Sequence, residues 1–123
     1  RKGCTDFPKI VKKVCQALPD VSFRLLGTSG LYRTKEEVLA QFPENLRDKL
    51  EIIPQFIPEE LPKLLAACSV GIFPSYLEAF PFGVLEMLSA SLPAIAYNSP
   101  GAPMMLSPEY LVPPGDTNAM SAK

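Results

Sequence analysis

Apolar residues recur at helical spacing at Ile10, Val11, Val14, Cys15 and Leu18, while Lys12, Lys13 and Gln16 take the opposite side. The first element is therefore an amphipathic helix, with Thr5 or Asp6 available as a cap and Pro8 suited to its first turn. Pro19 and Asp20 break that pattern, and the apolar run over 21–26, closed by Gly27, predicts a strand. Thr34-Lys35-Glu36-Glu37 has the spacing of a capping box and opens a helix through Val38, Leu39 and Phe42 that Pro43 ends. Leu50–Ile53 is a second strand. Pro58, Glu59 and Glu60 then start a helix through Leu61, Leu64, Leu65 and Cys68, with Pro62 tolerated in its first turn. Residues 70–73 form an unbroken apolar run, the mark of a strand covered on both faces. There follow a helix over about 81–91, a strand over Ala94–Tyr97, a loop rich in proline and glycine, a short strand over 110–112, and the turn Pro113-Pro114-Gly115-Asp116. Asp116 or Thr117 can cap a last helix.

Such alternation predicts an α/β fold: one Rossmann-like parallel sheet with helices on both faces, formed by residues 1–123 as a single domain. A hydrophobic fraction of 47% supports a packed core, and a net charge of −1 with scattered Lys and Arg gives no basic stripe for nucleic acid. The apolar run over 64–73 is too short to span a bilayer, so no transmembrane segment is expected. Cys4, Cys15 and Cys68 are odd in number and lack metal-ligand spacing; they read as isolated buried thiols, which suits the cytoplasm. The absence of histidine removes imidazole bases and His-ligated metals, and no Asp-x-Asp pair exists to cluster a divalent cation. No metal site and no cofactor are therefore expected. The abrupt start at Arg1-Lys2-Gly3 and the end at Lys123 suggest a piece of a longer protein.

Residues 73–86 carry the candidate chemistry. They read as a strand end, a loop and the first turns of a helix, and ligands of open α/β sheets bind beyond the carboxyl ends of strands. With Pro81 as the first helical residue, the amides of Phe82, Gly83 and Val84 are expected to be free for an anion such as a diphosphate. Gly83 would allow close approach to the backbone. Glu78 before the helix and Glu86 inside it can each accept from a vicinal diol, the pattern of a sugar nucleotide with hexose at one end and ribose at the other. The residues alone leave a second reading open, because the helix dipole by itself favours Glu near a helix start. Phe80 and Phe82 are expected to pack in the core or at the head of the helix, not to stack on a base.

The stretch resembles the carboxyl-terminal, donor-binding domain of the retaining glycosyltransferases of the GT-B fold, the glycosyl transferases group 1 family. The family pattern of Pro-Ser, Glu, seven residues and Glu matches Pro74-Ser75, Glu78 and Glu86. Its Lys-Gly helix start matches Lys2-Gly3, its Pro-Asp break matches Pro19-Asp20, and its later Val-Pro-Pro-Gly-Asp turn stands at residues 112–116. The chain departs from the pattern at Pro81 and Ser91, where glycines are usual, and in the 98–105 loop, which lacks the usual acidic residue. The resemblance implies one half of a GT-B fold and transfer of a hexose from a nucleoside diphosphate sugar. Glu78 would be the catalytic residue beside the sugar. Lys2 and the amides of Phe82, Gly83 and Val84 would hold the diphosphate, Glu86 the ribose, and Ile57 would approach the base. It also implies an amino-terminal acceptor domain outside this chain, and a longer protein free to touch a membrane peripherally. The alternatives are a sugar-nucleotide epimerase on the same fold and a non-catalytic nucleotide-binding or interaction module.

Overall fold

In the computed structural model, which describes residues 2–123, helix α1 (Phe7–Ala17) joins two sets of parallel strands. Its Phe7, Val11 and Cys15 pack with Phe23, Leu25 and Ile52. Its Ile10 and Val14 pack with Ile72, Ile95, Tyr97 and Val112. The 3.6-residue period thus gives α1 two adjacent apolar stripes, one for each set.

Strand β1 (Phe23–Leu26) pairs with β2 (Leu50–Ile53), Leu25 opposite Ile52. Strand β3 (Gly71–Phe73) pairs with β4 (Ala94–Tyr97), and β4 pairs with β5 (Leu111–Val112). Every ladder is parallel, but β1–β2 and β3–β4–β5 are separate sheets, not the single sheet expected. With strands of four residues at most, the ladders are short, and continuity between the sheets comes from the shared helix α1.

Helices do cover both faces. All of β4 is buried. Ile95 and Tyr97 face the cluster containing Ile10 of α1 and Met120 of α5 (Thr117–Ala122). Ala94 and Ala96 face the cluster containing Val84 of α4 (Phe82–Ser89). The two-residue period of a strand sorts them, with small side chains toward α4. The same closeness recurs at β3, where a Cβ on Gly71 would lie 2.0 Å from the Met87 sulfur.

Element ends moved where local hydrogen bonding outranked apolar pattern. Helix α2 is only Lys35–Leu39. The Thr34 hydroxyl accepts the Glu37 N–H at 3.2 Å, but the Glu37 carboxylate accepts from the Arg33 N–H at 2.8 Å, so the capping box is half formed. Phe42 is buried from the turn beyond it. Helix α3 is Leu61–Ala66, preceded by the single turn Pro58–Glu60, so Cys68 falls past its end. Val70 and Tyr110 lie outside β3 and β5, and Leu18 ends α1 in solvent. The thiols are free, but only Cys15 is buried; Cys4 and Cys68 sit half-exposed in the turns beside α1 and α3. Asp116, not Thr117, caps α5, accepting the Ala119 N–H at 2.9 Å. Among the described residues, no helix is long and apolar enough to cross a membrane.

Candidate functional site

The loops after β3, β4 and β5 leave the carboxyl edge of one parallel sheet, and the loop joining β3 to α4 carries the candidate site residue Glu78 and leads into Phe82 at the start of α4. Gly3 brings Lys2 to it. Gly3 has φ +74°, and a Cβ there would lie 2.0 Å from the Pro74 carbonyl oxygen, so only glycine lets the two backbones touch. The Gly3 carbonyl accepts the N–H groups of Asp6 and Phe7, which sets the turn into α1.

Across that contact the Lys2 ammonium donates to Glu78 Oε1, and the Ser75 hydroxyl donates to the same oxygen at 2.9 Å. The Glu78 carbonyl accepts the Gly101 N–H at 2.8 Å. A Cβ on Gly101 would lie 2.3 Å from the Ala79 carbonyl oxygen, so the loop after β4 presses directly on the loop after β3. Glu78 is held through both side chain and backbone. Lys2 is half exposed, so the pair contributes little stability, at most about 1 kcal/mol. Its importance is geometric: a cation and a carboxylate 76 positions apart meet at one spot.

The start of α4 differs from expectation. Pro81 is the N-cap, not the first helical residue. The Phe82 N–H donates to the Phe80 carbonyl and the Val84 N–H to the Pro81 carbonyl, each at 3.0 Å. Two of the three expected amides are thereby used by the tight turn that Pro81 imposes. Alone of the three, the Gly83 N–H makes no backbone hydrogen bond outside the ladder of α4 among the described residues. Gly83 also has another reason to be glycine: a Cβ there would lie 2.7 Å from the Phe73 ring, so the residue serves strand–helix packing. The Val84 side chain is fully buried. Phe80 and Phe82 are exposed, with ring centroids 4.8 Å apart, and pack on each other instead of on the core. Glu86 stands in solvent on the second turn of α4. Ile57 is remote in sequence from these residues. It lines a hollow of about 600 Å³ with Gly27, Gln55, Phe56 and Glu60, beyond the ends of β1 and β2. The Glu60 carboxylate accepts the Ile57 N–H at 3.2 Å and shapes that wall.

Below the loop lies a polar cluster that sequence reasoning missed. Asp6, one of the two expected caps of α1 with Thr5, stands at the N-cap position yet makes no cap bond. Its buried carboxylate instead accepts the hydroxyls of Tyr76 and Tyr97 on one oxygen, the latter at 2.9 Å. Lys9 stands 3.9 Å from the other oxygen. Burial, with help from Asp6, pushes the Tyr97 hydroxyl well above its usual pKa, and the bond to Asp6 raises Tyr76. The partners are 70 and 91 residues from Asp6, so no local pattern could announce the cluster.

Comparison with known proteins adds three findings. The profile of the family described as "Glycosyl transferases group 1" matches residues 1–123. Over 69 residues, 54% of this chain, the sequence is 35% identical to the O-antigen chain mannosyltransferase B of Escherichia coli, covering 18% of that protein. The fold superposes with a TM-score of 0.76 on the pneumococcal O-GlcNAc transferase GtfA, solved in complex with UDP and GlcNAc. That match covers 99% of this chain and 25% of GtfA at 20% identity, and it shows a shared α/β fold. The chain thus spans a quarter or less of the length of these relatives.

Proposed function

The chain belongs to the glycosyl transferases group 1 family, and on that premise we propose that it is the donor-binding half of a GT-B retaining hexosyltransferase using a nucleoside diphosphate sugar. The observation that carries this reading is the meeting of Lys2 and Glu78 at the head of the β3–α4 loop, supported by family membership. The Lys2 ammonium would neutralise the diphosphate as it leaves, and the Gly83 N–H would add one hydrogen bond at the helix start. Glu78, fixed by Ser75 and Gly101, would position the sugar and stabilise positive charge developing at its reacting carbon. Glu86 would take the ribose hydroxyls, and the hollow beside Ile57 the base. With a lysine and a backbone amide at the diphosphate, no metal or resident cofactor is assigned to the site. The acceptor would be held by an amino-terminal domain of a longer protein. GtfA in complex with UDP and GlcNAc is consistent with a nucleotide sugar as the ligand class.

Substituting Glu78→Gln in the full-length enzyme should lower turnover more than tenfold, or more than about 1.4 kcal/mol in the barrier. Turnover near that of the parent enzyme would remove Glu78 from its role.

A further inference from the structure

We infer that Tyr76 is a positioning residue for the site: its hydroxyl, donated to the buried Asp6 carboxylate, sets the height of the β3–α4 loop at which Glu78 meets Lys2. Tyr76 lies two residues before Glu78, and Asp6 lies four residues after Lys2. One carboxylate therefore ties together the two backbone segments whose side chains form the ion pair. Its second tyrosine, Tyr97, lies in β4 beneath the loop and anchors the carboxylate from the core side. The turn after β5 closes the ring, because a Cβ on Gly115 would lie 3.2 Å from the Tyr76 hydroxyl.

Packing alone does not explain the arrangement. Tyr97 is fully buried, whereas Tyr76 is 38% exposed and touches Tyr97 edge-on at 5.1 Å between centroids. Part of the Tyr76 ring stands in water, so the hydroxyl bond to Asp6 adds a directional tie that the edge contact with Tyr97 does not supply. Asp6 stands at the N-cap of α1 yet leaves the capping bond unmade and spends its side chain on the two tyrosines. An aspartate that only started the helix would accept an N–H of the first turn.

The test compares Tyr76→Phe with Tyr97→Phe in the 123-residue chain. Each variant removes one hydroxyl from the same carboxylate, but only Tyr76 belongs to the loop. Amide exchange at Gly101 reports the loop directly, through its bond to Glu78. Tyr76→Phe should speed Gly101 exchange by about fivefold, the change expected for one lost hydrogen bond, beyond any change in the slowest amides. Tyr97→Phe should change Gly101 only in step with those amides. Calorimetric titration with UDP, GDP and ADP gives the second readout, which rests on the proposed donor site. Tyr76→Phe should weaken the nucleotide that the parent binds by about fivefold, while Tyr97→Phe stays within about twofold. Gly101 exchanging in Tyr76→Phe as in the parent, or both variants shifting exchange and affinity alike, would overturn the inference. A parent chain that binds none of the three nucleotides contradicts the proposed function, and the exchange comparison still decides the role of Tyr76. Should either tyrosine variant fail to fold, Asp6→Asn, which keeps an accepting oxygen, should loosen Gly101 less than Asp6→Ala; equal loosening would contradict the inference.

Discussion

Ser91 follows the last turn of α4 in the left-handed region, with φ +60°. The helix closes there by a Schellman motif: the Leu92 N–H donates to the Met87 carbonyl and the Ser91 N–H to the Leu88 carbonyl, both at 2.9 Å. This motif requires positive φ at position 91, where an L-residue with a Cβ incurs about 1–2 kcal/mol of strain. Ser91→Gly relieves that strain, while the looser unfolded chain of a glycine costs about 0.4–1 kcal/mol in return. The Ser91 side chain is exposed, so little contact is lost. The balance is a stabilisation of about 0.5–1 kcal/mol. With an unfolding entropy of about 2.1 cal/mol/K per residue over 123 residues, that raises Tm by roughly 2–4 °C. Thermal unfolding followed by circular dichroism reads the shift directly. Ser91→Ala keeps the Cβ and the strain, and should leave Tm within about 2 °C. A Tm for Ser91→Gly equal to or below the parent, or an alanine variant gaining as much as glycine, would refute the reasoning.

Gly3→Ala places a Cβ 2.0 Å from the Pro74 carbonyl oxygen in a φ +74° turn, and should cost about 3 kcal/mol or more, read as a lower urea midpoint. Gly30→Ala, with nothing within 4 Å of its Cβ, should stay within about 0.5 kcal/mol and serves as the control. Alkaline pH should destabilise the fold. Tyr76 and Tyr97 hold their protons more tightly folded than unfolded, so their contribution is complete below pH ~10 and fades above it as the unfolded chain ionises first. Cys15, raised by burial, acts in the same direction from slightly lower pH. Urea midpoints between pH 9 and about 11.5 should fall, and less steeply in Tyr97→Phe; midpoints that hold or rise would contradict the tyrosine cluster.

The order of elements was readable because each strand has a distinct apolar run between turn residues, and Ala94–Tyr97 appears with the bounds expected. The family resemblance rested on motifs spaced along the whole chain, and the profile match covers that same span. The break into two sheets was not readable, since hydrogen bonding between strands distant in sequence leaves no local mark. The start of α4 was misjudged for a specific reason. Pro81 is the N-cap and not the first helical residue, and the Phe82 and Val84 amides expected to be free are consumed by tight-turn bonds to the Phe80 and Pro81 carbonyls, which no spacing of residue types announces. Gly83 likewise suggested ligand approach, while its missing Cβ faces Phe73. Asp6 was ambiguous in principle: a carboxylate at a helix start can cap, or it can turn inward to distant hydroxyls, and only the fold brings Tyr76 and Tyr97 within reach.

The central claim is that the Lys2–Glu78 edge of this sheet binds a nucleoside diphosphate sugar. Thermal shift of the 123-residue chain with UDP, GDP, ADP and their sugars tests it most directly. At 100 times the Kd, a bound nucleotide should add about 2.7 kcal/mol, or roughly 10 °C in Tm for a chain of this size. The account predicts such a lift from one base and not the others, reduced in Lys2→Ala. An intact fold with no lift from any of them, or a lift undiminished in Lys2→Ala, would contradict it.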